Sequence, residues 1–186
     1  MQNIPQDVVD RISQLLGKPA QVHRFDSPDE PSGCMEWACN SGDTDENLAK
    51  VRSFLTGMPF MAYKRISMWG GSVYRADYSG IVVCPTVDQF QPLRFEMGDR
   101  NGWEHFLPEL KELNERYGID VTGVGGHSNI EFVLKTIPTG LEERRKLSDF
   151  ILKFAPDVDE SYWSDDNEEF VIDFDRCYGR VDLWWD

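Results

Sequence analysis

His127 follows Gly123, Gly125 and Gly126 and precedes Ser128, so side-chain and backbone chemistry could meet at this point of the chain. A glycine-rich turn with free backbone N–H groups can hold an anion. Phosphate loops, however, open a helix, whereas this turn joins two segments with strand patterning, and glycine pairs also make ordinary hairpin turns. Cys84, directly before Pro85, could act as a nucleophile if a base folded beside it, although the end of a buried strand more often holds a core thiol. The three histidines, His23, His105 and His127, are dispersed, with no HxH or HExxH spacing. The sequence therefore predicts neither a metal centre nor a cofactor. It contains no GxSxG elbow, no Walker loop and no GxGxxG that opens a helix. An enzymatic reading would need a site assembled from scattered residues near the Gly125–His127 turn.

A second group of residues suggests binding rather than catalysis. Asp157, Asp159, Glu160, Asp165, Asp166, Glu168 and Glu169 surround Tyr162 and Trp163. Such a run can be a solvated loop. It can equally be a surface for a basic partner, with the two aromatics as anchors, since interfaces favour tyrosine and tryptophan. EF-hand spacing is absent, so a calcium loop does not fit. The whole chain agrees in sign, with a formal net charge of −14 over 186 residues. That charge disfavours nucleic acid and anionic membrane as partners and favours fast encounter with a basic protein.

Cys34, Cys39, Cys84 and Cys177 show no CxxC spacing. With no basic n-region or apolar h-region at the N-terminus and no membrane-length apolar run, the expectation is a cytoplasmic protein with four free thiols.

The elements that must position these residues are legible from periodicity. Val8, Val9, Ile12, Leu15 and Leu16 predict a helix over Asn3–Gly17, with Asn3 and Gln6 placed as a capping box. Short strands are expected over Gln21–Asp26 and Cys34–Cys39, and a helix over Asp45–Thr56. Phe60–Ser67 and Val73–Tyr78 read as an antiparallel pair about Gly70-Gly71, and Ile81–Cys84 as a separate strand buried on both faces. Val87–Phe95 is a short helix weakened by Pro92. Trp103, Phe106, Leu107, Leu110, Leu113 and Tyr117 mark a longer helix, which Gly118 ends. Asp120–Val124 and Ile130–Ile137 form a hairpin expected at the centre of the sheet. Thr139 and Glu142 open a further helix, whose buried face is Leu141, Leu147, Phe150, Ile151 and Phe154. Phe170–Tyr178 fits a strand by alternation and a helix by its aromatic spacing. Val181–Trp185 reads as a terminal strand.

Several phrases occur together: Ile81-Val-Val-Cys-Pro85, a helix ending at Tyr117-Gly118, GIDVTGVG, NIEFVLKTIP, Phe154-Ala-Pro-Asp157 and the tail Leu183-Trp-Trp-Asp186. In this order they resemble the bacterial domain-of-unknown-function family 4253 over somewhat more than half of the chain. The sequence departs from that pattern at Gly126-His127-Ser128, where members often carry an aromatic and an acid. The resemblance implies an α+β fold and a helix over Phe170–Tyr178. It implies no activity and no catalytic residue.

The reading is thus an α+β fold, with a mixed and largely antiparallel sheet covered by amphipathic helices. Residues 1–80 form an α/β extension with N-terminal helices, and residues 81–186 the domain that carries the resemblance. Its function is expected to be non-catalytic binding of a basic protein. A bacterial immunity protein neutralising a toxin is the specific form, and the acid run with Tyr162 and Trp163 is the contact.

Overall fold

The apolar alternation of Met61–Ser67 (β3), Asp77–Cys84 (β4) and Ile119–Gly125 (β5) builds the middle of a seven-stranded sheet in a computed structural model, completed by β1 (Gln21–Val22), β2 (Met35–Ala38), β6 (Asn129–Leu134) and β7 (Arg180–Trp184). The structure describes residues 3–25, 33–67, 77–96, 103–125, 129–154, 172–175 and 177–184. The strand order is β1-β2-β4-β3-β5-β6-β7, and every neighbouring pair is antiparallel except β3–β5. The mixed, largely antiparallel α+β sheet is thus as expected. Its centre is not the β5–β6 hairpin, however, but β3. A parallel crossover between β3 and β5 leaves no mark in local alternation, which is why the sequence misplaces the centre. Ile81–Cys84 is the second half of β4 and not a strand of its own. Gly80 lies within β4 and pairs with Ala38 of β2 and Arg65 of β3, so both ladders run through it.

Helices cover both faces. On one face α1 (Gln6–Leu16) and α2 (Thr44–Leu55) bury Val8, Val9, Ile12, Leu48, Val51 and Leu55 against Trp37, Ala62, Ile81 and Val83. On the other, α3 (Gln91–Glu96), α4 (Trp103–Tyr117) and α5 (Leu141–Phe154) set Leu93, Leu110, Leu113, Leu147 and Ile151 against Val82, Val121, Phe132 and Leu183. Strands β3 and β4 therefore have apolar neighbours on both sides, which explains their near-continuous hydrophobic reading. Removal of this apolar area from water is the main force holding the three layers together.

Local signals account for most element ends, with some corrections. Helix α1 starts at Gln6, not Asn3, and its N-cap, Pro5, makes no side-chain cap bond. It stops at Gly17, which adopts the left-handed conformation at φ 62° and donates its N–H to Ser13 O. Pro108 sits in the second turn of α4. Strand β6 ends at Leu134 instead of Ile137, because Lys135 N and Thr136 N turn to the Gly118 and Tyr117 carbonyls. Leu141 is 52% exposed and does not belong to the buried face of α5. The described part of Phe170–Tyr178 is neither helix nor ladder strand. It is a tight turn that buries Phe174, with Gly179 N donating to Phe174 O. The turn at Gly70-Gly71 lies outside the described residues. Among the described residues no helix is long and apolar enough to cross a membrane.

Candidate functional site

The chemistry-bearing side chains of the described residues gather in two ion-pair networks, centred on consecutive residues of β3 that point to opposite faces of the sheet. Each depends on a glycine in the strand alongside.

Lys64 faces α2. Its neighbours across β5 are fixed by register, with Lys64 opposite Gly123 and Gly123 opposite Glu131. Gly123 has no side chain to separate them, and a Cβ there would lie 3.1 Å from the Glu131 Cβ. Lys64 Nζ therefore reaches Glu131 Oε1 at 2.5 Å and Asp45 Oδ1 on α2 at 2.6 Å. The ammonium also stands 4.3 Å from the centre of the Tyr78 ring, a cation–π distance. Arg180 on β7 donates to Glu131 Oε2, to Asp45 Oδ2 at 3.1 Å and to the Tyr78 hydroxyl at 3.0 Å. Tyr78 and Thr122 both donate their hydroxyls to Glu131. A bulge between Val121 and Gly123 aims Thr122 this way. Lys64 and Glu131 side chains are each 1% exposed. Burial works against the Glu131 charge, but Lys64 and Arg180 outweigh it and hold the carboxyl below its ordinary range. Burial, with the Glu131 charge, pushes the Tyr78 phenol up, so it remains a donor.

Arg65 faces the opposite side. Register sets it opposite Gly80 of β4, and a Cβ on Gly80 would lie 2.7 Å from Trp37 O and 2.9 Å from Glu36 Oε1. The space a larger residue would fill is taken by the Glu36 side chain, reaching across from β2. Arg65 Nη1 donates to Glu36 Oε2 at 3.1 Å. The same carboxyl oxygen lies 3.0 Å from His23 Nδ1, and His23 Nε2 lies 2.9 Å from Glu96 Oε1 at the end of α3. The Tyr63 hydroxyl donates to that Glu96 oxygen at 2.7 Å. His23 is 2% exposed, and its ring meets Phe25 edge-on at 4.5 Å. Burial opposes its charge, yet the hydrogen bonds to Glu36 and Glu96 prevail and raise its pKa to about 9. His23 is therefore an imidazolium with both ring nitrogens donating. It bridges two glutamates and is neither a metal ligand nor a free base.

A groove of about 580 Å³ opens where β3 and β5 part. Its wall is apolar, from Met58, Phe60, Met61 and Phe90, and its floor is polar. The floor is engaged in holding the sheet. Gln89 Nε2 donates to Ile119 O at 3.0 Å and its Oε1 accepts from Val121 N at 3.0 Å, the two bonds that a parallel strand residue would make around Asp120. Arg52 spans the gap, donating to Ala62 O at 2.9 Å, to Val121 O at 2.5 Å and to Asp120 Oδ2 at 2.6 Å.

No family model, curated protein or solved structure matches the chain.

The residues singled out in the sequence fare differently. Gly125 has φ 140°, and a Cβ on it would stand 2.4 Å from the Ile66 carbonyl oxygen. It serves the close approach of β5 to β3. His127 lies outside the described residues, as do Asp157, Asp159, Glu160, Tyr162, Trp163, Asp165, Asp166, Glu168 and Glu169. Cys84 is buried, and its thiol is pushed up by its contact with Cys34 and by burial, which keeps it protonated while the core stays closed. All four cysteines are free. Among the described residues no group of His, Cys, Asp and Glu could hold a metal ion. Sequence reasoning missed both networks. Their signal was a lone acid in each of MEWA and NIEFVL, and adjacent cations inside the apolar strand MAYKRIS.

Proposed function

We propose that the protein is a non-catalytic binding module for another protein with a basic surface, acting as a bacterial immunity protein that neutralises a toxin. The observation that carries this is the closure of the internal charges. His23⁺ and Arg65 balance Glu36 and Glu96, Lys64 and Arg180 balance Asp45 and Glu131, and Arg52 balances Asp120. Each group is neutral as a unit. Nearly all of the formal charge of −14 is thus carried by residues outside these three groups. In the groove beside β3 and β5, Arg52 and Gln89 are likewise engaged with the sheet. An acidic exterior on a rigid frame suits fast, charge-steered association.

Asp157 to Glu169 is the proposed contact, with Tyr162 and Trp163 supplying the buried anchors. Many toxins that act on nucleic acids or nucleotides are basic around their sites, and an acidic domain can dock there and block access. The four free thiols fit a cytoplasmic location. Membership of the domain-of-unknown-function family belongs to the same proposal, on the strength of its sequence phrases.

The test is to capture the partner by cross-linking in the native host and then measure association rates by stopped flow at low and high salt. Reversing Asp165, Asp166, Glu168 and Glu169 to lysine is expected to slow association roughly 10-fold or more at low salt and to flatten its salt dependence. An unchanged rate across ionic strength in the reversed variant would make the acid run a solvated surface.

A further inference from the structure

We propose that Cys34 and Cys84 form a redox-active pair, which a peroxide converts reversibly to a disulfide clamping the β1–β2 edge to the body of the sheet. The inference rests on strand register and does not depend on the binding function. The β2–β4 ladder pairs Met35 with Val83 and Glu36 with Val82, so Cys34 and Cys84 occupy the next rung. Cys34 O accepts from His23 N at 3.0 Å and so points to β1, away from β4. This makes the rung a non-hydrogen-bonded pair, the kind in which facing side chains come closest, with Cα atoms about 4.5 Å apart. That separation lies within the range a disulfide spans. The two sulfurs are already in contact at 2.9 Å, and both residues are buried. Cys39 makes a different contact, to the Trp37 carbonyl at 3.6 Å.

The chemistry needs only a small two-electron oxidant. One thiol attacks hydrogen peroxide; the O–O bond breaks, sulfur takes one oxygen as a sulfenic acid, and water leaves. The second thiol then attacks that sulfur. The S–S bond forms, the S–O bond breaks, and a second water leaves carrying the remaining thiol proton. Two thiols and one peroxide thus give one disulfide and two waters. Access comes through the sheet edge. β1 pairs over only two residues and Val22 is 66% exposed, so a local opening of this edge that releases His23 from Cys34 uncovers the pair. The bond would then tie β2 to β4 and hinder that opening.

The test exposes the reduced full-length protein to hydrogen peroxide, quenches it, alkylates it under denaturing conditions and maps the cysteines by mass spectrometry. The expected result is a Cys34–Cys84 cross-link with the loss of two hydrogens, reversed by dithiothreitol, with Cys39 and Cys177 still alkylated. The oxidised protein should melt several degrees higher than the reduced one, because a long loop is closed. Cys39→Ser should leave the cross-link intact, and Cys34→Ser should abolish it. Oxygen addition at either sulfur without a cross-link, a bridge through Cys39 or Cys177, or full alkylation of Cys34 and Cys84 after treatment would overturn the proposal. The wild-type map decides even if a variant fails to fold.

Discussion

Replacing Glu131 with alanine is expected to destabilise the protein by roughly 3–5 kcal/mol, a large share of the total stability of a typical domain. The substitution removes the acceptor that four groups share. Lys64 would keep an ammonium group, 1% exposed, with only Asp45 left as its carboxylate. Arg180 would lose its closest acid, and the Tyr78 and Thr122 hydroxyls would lose their acceptor. Leaving a charge buried and unmatched is what makes such single changes severe. Removing both charges at once is a different matter. Lys64→Met with Glu131→Leu fills the same space with apolar atoms and should recover the part of the loss due to the unmatched ammonium, while Arg180 and the Tyr78 and Thr122 hydroxyls still lack their acceptor. Urea unfolding of the two single variants and the double variant would measure the coupling. If Glu131→Ala unfolds within about 1 kcal/mol of the wild type, the network is not the closed unit described here.

His23 gives the second large effect, visible in the pH dependence of stability. Its folded-state pKa of about 9 lies above the ordinary value of 6.5, so the folded protein holds the proton more tightly. The stabilisation is therefore complete below pH 6.5 and is lost as pH rises through about 9. A shift of this size corresponds to about 3 kcal/mol across that window. The groups facing the ring are Glu36 and Glu96, backed by Arg65 and Tyr63. Glu36 contributes in the opposite direction. Burial raises its pKa, but His23 and Arg65 prevail and lower it, so its share is lost only as pH falls below the ordinary carboxyl range. The wild type should exceed His23→Gln by about 3 kcal/mol near pH 6, and the two unfolding curves should converge above pH 9. Parallel curves from pH 6 to 10 would show that the ring carries no extra proton.

The sequence made the elements legible more readily than their arrangement. Helical spacing in α1, α4 and α5 identified most of the residues that reach the two cores, because a stripe along one helix is a local property. The ion-pair networks were not legible. Glu131, on the opposite face from Ile130 and Phe132, fits plain strand alternation, and nothing in NIEFVL says that Lys64 stands two strands away. Gly80 and Gly123 each make room for a carboxylate on the adjoining strand. Both facts depend on long-range pairing that no single segment encodes. The glycines around His127 drew attention as a possible anion loop, and Gly125 turns out to be required by the closeness of the Ile66 backbone.

The neutrality of the internal ion-pair groups depends on the proton that His23 holds. The direct measurement is a ¹⁵N NMR titration of its imidazole. Both ring nitrogens should carry protons at pH 7.5, and the ring should titrate near pH 9. A ring with one bare nitrogen at pH 7.5, titrating near its ordinary 6.5, would leave Glu36 and Glu96 with Arg65 as their only cation among the described residues and would contradict the neutral network.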